Sequence, residues 1–472
     1  MKKLLLRAAK DPFDVTSAAV TLKQNTIATN VGNLVFSNAV YKHLSADGTT
    51  VEVNGPRLNG DPADAERINE VYDAFVIPLA NAFRPSFMRH LETLTKLIER
   101  LDIPVVVVGV GAQTDLGQDI NAMSGMNKKV QQFVSAVLDR SATIGVRGEF
   151  TAEYLRSLGF NDVDIIGCPS MFLHGPGFRI AEPKESLRAD ARIAFSYTPY
   201  ADGDGNLAAL VASAITDYPE VAYYPQNSRD LSLLYWGDTS RLSGISGETP
   251  LQMTHPLLQA GRTRFPLDPQ TWMRELSEYD FAVGSRIHGN ITALLAGIPA
   301  MVLAHDSRTL ELSRYFGIPH RKLSDVGEGT TVADLYSQAD PSDFNKGYDG
   351  RFEHYLAFLS KNGLATCYEN GDGGAAFDAR MAATEFPEPV RPWADSADPE
   401  ISTRIAWLKE RLDELESGLN RRTKAVEARA ADLESLAKTH GEQIEKLTKR
   451  ISRIEHAWPQ RLARRVKRVI GR

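Results

Sequence analysis

Short apolar, β-branched runs and longer stretches of helical periodicity alternate along most of this chain. Apolar runs stand in Asp73–Asn81, Ile103–Gln113, Thr143–Val146 and Asp162–Phe172, and again in Ala191–Thr198, Glu220–Gln226, Phe281–Val283 and Ala300–His305. Continuous apolar runs of this length read as strands buried on both faces. Amphipathic stretches around Phe87–Leu101, before Gly159, at Leu207–Ala214, around Ser307–Phe316 and around Phe352–Leu364 read as helices between them. Strands alternating with helices predict a mostly parallel, doubly wound sheet. The polar segment Phe178–Asp190, with Pro183, reads as a linker, so the pattern predicts two α/β halves over residues 15–180 and 190–365. Residues 366–400 turn to Gly, Ala, Asp, Glu and Pro with little periodicity, which predicts a flexible linker.

A different pattern follows. Ile405, Leu412, Leu419, Val426, Leu433, Leu447 and Ile454 recur in steps of seven, interrupted at His440. Leu408, Leu415 and Leu436 fill the second seam position, but Arg422, Arg429, Gln443 and Arg450 also fall there. Over residues 401–457 this reads as an imperfect coiled coil that would make the protein a homo-oligomer. A long solvated helix is the alternative. Residues 458–472 carry Arg461, Arg464, Arg465, Lys467, Arg468 and Arg472 and no acid, with Trp458, Leu462, Val466, Val469 and Ile470 largely on one helical side. Such a basic amphipathic tail suits an anionic membrane surface, and a frayed soluble end is an equal alternative. Nucleic acid is the poorer partner, because the chain carries a net charge of −6 and no nucleic-acid motif.

Chemistry concentrates where strands stop and helices start. In Tyr279–Pro299 a strand ends in Gly-Ser and presents Arg286 and His288 at the start of an apolar helix. Helix N-termini at strand ends offer unpaired N–H groups and the positive end of the helix dipole. Arg286 adds a planar fork of donors suited to phosphate or carboxylate, and His288 a group that moves protons near neutral pH. Ala142–Phe160 repeats the design with Arg147, for which an ion pair with Glu149 or another acid is the competing reading. The strand Ile103–Gln113 ends in Gly109, Gly111 and Gln113, but the rest of a dinucleotide fingerprint is not in place.

Taken in order, Asn30–Ala39 (NVGNLVFSNA), GVGAQ, IGVRGEFTAEYLRSLGF, DIIGCPSMF, DFAVGSRIHGNITALLAGIPAMVL and LSRYFGIP resemble the polysaccharide pyruvyl transferases. The resemblance runs from about Thr26 to the neighbourhood of Gly363. It implies two Rossmann-like halves in the GT-B glycosyltransferase arrangement, with the site between them. It also implies transfer of pyruvate from phosphoenolpyruvate to two hydroxyls of a saccharide, as a ketal, with release of phosphate. On that reading Arg147 and Arg286 hold the donor's charged groups and His288 transfers protons. Asn33 and Gln113 orient donor or sugar, and Ser285 binds phosphate. Asn290 assists or, more simply, caps its helix. No cofactor or metal is required, and phosphoenolpyruvate is a donor substrate. Tyr197, Tyr200, Tyr223, Tyr224, Asn227 and Trp236 could contact a sugar but serve equally as core and loop residues.

Two other function classes stay open: a glycosyltransferase with a nucleotide-sugar donor, and a noncatalytic saccharide-binding scaffold. No Glu-x-x-x-Glu-like ribose pattern follows the second crevice, where AGIPAMVLAHD stands, which disfavours the first. At 472 residues a large core is available, and with two cysteines, Cys168 and Cys367, no disulfide framework is implied. MKKLLLRAAKDPFD has too short an apolar run for a signal peptide, and no segment approaches the ~20 apolar residues of a membrane span. A cytoplasmic protein, peripheral at most on the inner face of the membrane, is the expectation.

Overall fold

The three leucines near the start of the chain are the centre of the first sheet. The computed structural model describes the chain except residues 56–60, 184–185, 199–204, 239–249, 251, 393–399 and 472. Strand β1 (Lys2–Leu6) lies between β2 (Thr49–Val53) and β3 (Ala74–Pro78), and β4 (Val105–Val108) follows β3, all parallel. Leu4, Leu5 and Leu6 are buried there, so the first half starts at Lys2, ahead of the Val15 start read from the pattern. Five residues with two lysines are too short a signal for periodicity to detect. Strands β5 (Ile144–Val146) and β6 (Val163–Ile165) pair with each other. Gly109 and Val110 beyond β4 donate to Gly145 O at 2.9 and 3.0 Å, which sets β5 beside β4.

The second half is a parallel sheet in the order β11-β10-β9-β7-β8, formed by β7 (Arg192–Phe195), β8 (Glu220–Tyr223), β9 (Phe281–Gly284), β10 (Ala300–Ala304) and β11 (His320–Lys322). Each sheet reverses its winding direction once, between β1 and β3 in the first and between β7 and β9 in the second. Outside the carboxyl ends of such a pair of strands, helices depart to opposite faces and leave a crevice. The mixed α/β class with two parallel, Rossmann-like sheets is as expected.

Beyond β11 the chain returns to the first half. In the helix Ser342–Lys361, Tyr348 donates to Gly175 O at 2.8 Å and Tyr355 stacks on Phe172 with ring centres 5.0 Å apart. The buried His43 ring contacts Phe172 O at 2.9 Å and Tyr355 Oη at 3.0 Å. Burial outweighs the bond to Phe172 and pushes the His43 imidazole down to about 3. Residues 366–392, read as a flexible linker, are tied down as well. The helix Ala375–Ala383 packs Phe377 and Met381 onto Phe13 and Tyr41. Asp378 pairs with buried Lys42 at 2.6 Å, and Val390 exchanges backbone bonds with Phe265. A few apolar residues four apart suffice to hold this segment, and its Gly and Asp content forms the turns: Asp372 accepts from Gly374 N and Ala376 N.

Residues 399–472 form a separate unit built on one helix, Ile401–Ile470, which continues through Pro459. Its heptad residues Ile405, Leu412, Leu419, Val426, Leu433, Leu447 and Ile454 are exposed on the single chain, as are Trp458, Leu462, Val466 and Ile470. Among the described residues no helix is long and apolar enough to cross a membrane.

Candidate functional site

The crevice of the second sheet is built from backbone closeness. Arg286 N donates to Ser196 O at 3.1 Å, and a Cβ on Gly284 would run into that same carbonyl, so the end of β9 lies against the end of β7. Ser285, expected at a phosphate, is fully buried and accepts from Thr198 N at 2.8 Å, so its hydroxyl fixes the turn after β7. Asn290 donates to Gly284 O at 2.9 Å and to Arg286 O at 3.0 Å, tying the strand end to the first turn of the helix Ile287–Leu295. That is the capping reading of Asn290. Arg286 stands at the N-cap, half-buried, its Nε buried without a partner among the described residues. Its charge bears on Asp230 and His305.

His288, in the first turn of that helix, points toward the first half. Its ring lies 5.6 Å from the Phe36 ring, and Nε2 lies 3.6 Å from Cys168 Sγ. Gly32, in the NVGN loop, leaves room for it: a Cβ there would stand 2.8 Å from His288 Cβ. The loop is positioned by bonds across the halves. Val31 N donates to Gln226 O at 3.0 Å, Ser228 N to Thr29 O at 3.0 Å, and Asn30 Nδ2 to Asn227 Oδ1 at 3.1 Å. Burial, then the guanidinium charges of Arg147 and Arg308, hold His288 well below the ordinary histidine range. At neutral pH it is a neutral imidazole, able to accept a proton.

Arg147 is fully buried beside it. Nε donates to Gly109 O at 2.8 Å, Nη2 lies 3.5 Å from Leu79 O and 3.7 Å from Cys168 Sγ, and Nη1 has no partner among the described residues. Desolvation lowers its pKa, but a guanidinium stays protonated at any working pH. Glu149 pairs with Arg156 at 2.8 Å, so the suggested Glu149–Arg147 pair does not form. The N-terminus of the helix Glu149–Ser157, expected to face an anionic ligand, is capped from the other half. Thr151 N and Oγ1 donate to the buried carboxyl of Glu311 at 3.1 and 2.9 Å, and Thr151 Oγ1 accepts from Ala112 N at 2.9 Å. Burial pushes the Glu311 carboxyl up to about 8.

Gln113 joins the halves. It accepts from Asn81 and donates to Asp306 Oδ2 at 3.1 Å. Asp306 caps the helix Ser307–Phe316, pairs with Arg308 at 3.1 Å and lies 3.6 Å from His305 Nε2. Burial works to raise its carboxyl, but Arg308 and His305 win and hold it below the usual range. Asn33 donates to Ala28 O at 2.9 Å and so braces the loop before the NVGN turn. Arg308, Asp306, His305, Glu311 and Cys168 were not singled out from the sequence. Arg308 and Asp306 sit at a strand end before a helix, the same signal that marks Arg147 and Arg286. Of the candidate sugar-contacting residues, Tyr197 and Tyr223 pack together in the core at 4.9 Å, and Tyr224 packs edge-on against Tyr279. Asn227 forms a capping box, Trp236 ends that helix half-buried, and Tyr200 lies outside the described residues.

A family model described as polysaccharide pyruvyl transferase matches residues 30–307. No curated protein matches the sequence. Among solved structures, the UDP-GlcNAc 2-epimerase of Methanocaldococcus jannaschii, with UDP-GlcNAc and UDP, is similar at 12% identity and a TM-score of 0.38, over 81% of this chain and 100% of that one. An uncharacterised protein of Klebsiella pneumoniae is similar at 12% identity and 0.34, over 66% and 88%. The calicheamicin glycosyltransferase CalG4 is similar at 12% identity and 0.26, over 81% and 98%.

Proposed function

Because this chain belongs to the polysaccharide pyruvyl transferase family, we propose that it transfers pyruvate from phosphoenolpyruvate to two hydroxyls of a saccharide, forming a ketal and releasing phosphate. The observation that supports this most is a neutral, buried imidazole at His288 beside the Arg147 guanidinium, whose Nη1 has no partner among the described residues. Such a pair combines an anion grip, stronger in a buried crevice than in water, with an unprotonated imidazole that can take a proton.

In this reading the donor's phosphate and carboxylate are met by the guanidiniums of Arg147 and Arg286, with Arg308 adding charge. A bound anion offsets the two cations that oppose imidazolium at His288, so the imidazole becomes a better base once the donor is in place. The enol methylene gains a proton drawn from the attacking sugar hydroxyl through the His288 imidazole, and the adjoining carbon becomes electrophilic. One sugar hydroxyl adds to that carbon and gives up its proton. The second hydroxyl then displaces phosphate and closes the ketal, its proton also passing to a base. His288 carries these protons, while Gln113 and Asp306 keep the two halves in register. The C-terminal helix, through its exposed heptad seam and basic end, associates with a second copy and holds the enzyme at an anionic membrane face. There a lipid-linked acceptor would be within reach.

The test is phosphate release from phosphoenolpyruvate with a panel of saccharide acceptors, set beside nucleotide-sugar controls. Release that requires both phosphoenolpyruvate and a saccharide is expected. Turnover of a nucleotide sugar, with phosphoenolpyruvate untouched, would contradict the proposal.

A further inference from the structure

The donor reading uses the crevice of the second sheet together with Arg147 of the first half, and leaves the cleft at the β1–β3 end of the first sheet unassigned. A cleft of about 790 Å³ opens there. It is lined by residues that directly follow the carboxyl ends of β1, β2 and β3: Arg7, Asn54 and Leu79–Ala82. The winding of the first sheet reverses between β1 and β3, the place where open α/β sheets bind ligands, and the volume suits a small organic ligand.

Its lining brings cations and aromatic rings together. The half-buried Arg7 guanidinium has neither a hydrogen bond nor an ion pair among the described residues, and burial lowers its pKa. Arg84 lies over the Phe87 ring at 5.9 Å, its Nε buried and without a partner among the described residues. Phe87 is stacked with His90 at 5.3 Å and 22°. The one carboxylate among the described lining residues, Asp61, caps the following helix by accepting from Asp64 N. Two guanidiniums short of partners call for an anion with several acceptor oxygens, and an aromatic face suits the C–H side of a sugar ring. The cleft also adjoins the chemistry. Phe36 lines it and contacts the His288 ring, and Asn81 lines it and holds Gln113.

We propose that this cleft is the acceptor subsite and that it takes a phosphate-bearing saccharide, with the phosphate met by Arg7 and Arg84 and the sugar against the Phe87–His90 pair. The word acceptor rests on the pyruvyl-transfer reading, but occupancy of the cleft does not. The test is calorimetry on the full chain with the 1-phosphates of glucose, galactose, mannose and N-acetylglucosamine, their parent sugars, glucuronate and inorganic phosphate. At least one sugar phosphate should bind tenfold or more tightly than inorganic phosphate, its parent sugar and glucuronate. Arg7→Gln and Arg84→Gln should each weaken it at least tenfold while shifting phosphoenolpyruvate affinity less than twofold, and Arg286→Lys should do the reverse. Two variants guard against misfolding in one. The proposal is overturned if no sugar phosphate exceeds inorganic phosphate, if glucuronate binds equally well, or if Arg286→Lys abolishes binding that Arg7→Gln and Arg84→Gln retain. Sugar phosphate bound in the cleft with phosphoenolpyruvate inert would contradict the pyruvyl-transfer reading alone.

Discussion

In the proposed reaction His288 and Arg147 act together because both are buried. Arg147 is held by two backbone carbonyls, Gly109 and Leu79, which orient the guanidinium without neutralising it. A carboxylate or phosphate would therefore meet a full charge at fixed geometry. For this reason lysine is no substitute, since a point charge cannot span two carbonyls and an anion at once. Arg286→Lys and Arg147→Lys should each weaken phosphoenolpyruvate binding tenfold or more in calorimetry, with the circular dichroism unchanged. Equal affinity in both variants would remove these arginines from the donor site. At this scale the placement of Arg147, Arg286 and His288 was legible, because strand-end residues before a helix announce themselves in one dimension. Ser285 and Asn290 show the boundary of that signal. They stand at the same strand end, yet their side chains are spent on Thr198 N and on the Gly284 and Arg286 carbonyls. No local pattern separates a polar side chain that turns inward from one that faces a ligand.

At the scale of elements, the contacts between halves decide what the crevice looks like, and these the sequence hides. Glu311 reads as one polar position on an amphipathic helix, but it reaches across to cap the helix Glu149–Ser157 through Thr151. The linker and the return of the helix Ser342–Lys361 were illegible for a related reason: their apolar residues cover surface of the first half, a partner remote in sequence. The capping contact has a pH signature. The Glu311 carboxyl titrates near 4.5 unfolded and is pushed up to about 8 by burial in the fold. The fold thus favours its acid form, so the stability it contributes is full below about pH 4.5 and is lost as pH rises through about 8. Between pH 5 and pH 8 the wild type should lose at least about 1 kcal/mol more unfolding free energy than Glu311→Gln. Parallel pH dependence of the two proteins in denaturant unfolding would show that the carboxyl is ionised in the fold.

At the scale of the whole molecule, the sequence announced two parallel α/β halves and a long C-terminal helix, since periodicity summed over many residues outweighs any single position. The C-terminal helix leaves its seam exposed on one chain, and its basic end follows directly. Two tails on one oligomer would bind a surface more tightly than either alone, through effective concentration. Deleting residues 458–472 should release the protein from anionic vesicles in co-sedimentation, with phosphate release on a soluble acceptor unchanged. Full-length binding should weaken with salt, because screening limits surface charges to roughly 8 Å at physiological ionic strength. Equal sedimentation of the two forms would rule the tail out as the anchor, and a monomer in light scattering would dispose of the coil.

The most direct measurement is the turnover number for phosphate release from phosphoenolpyruvate in His288→Asn beside the wild type, with donor affinity measured on the same preparations. Turnover should fall roughly 10²–10⁴-fold, the usual worth of a positioned acid or base, while affinity changes little. A near-normal turnover number would contradict the assignment of proton transfer to His288.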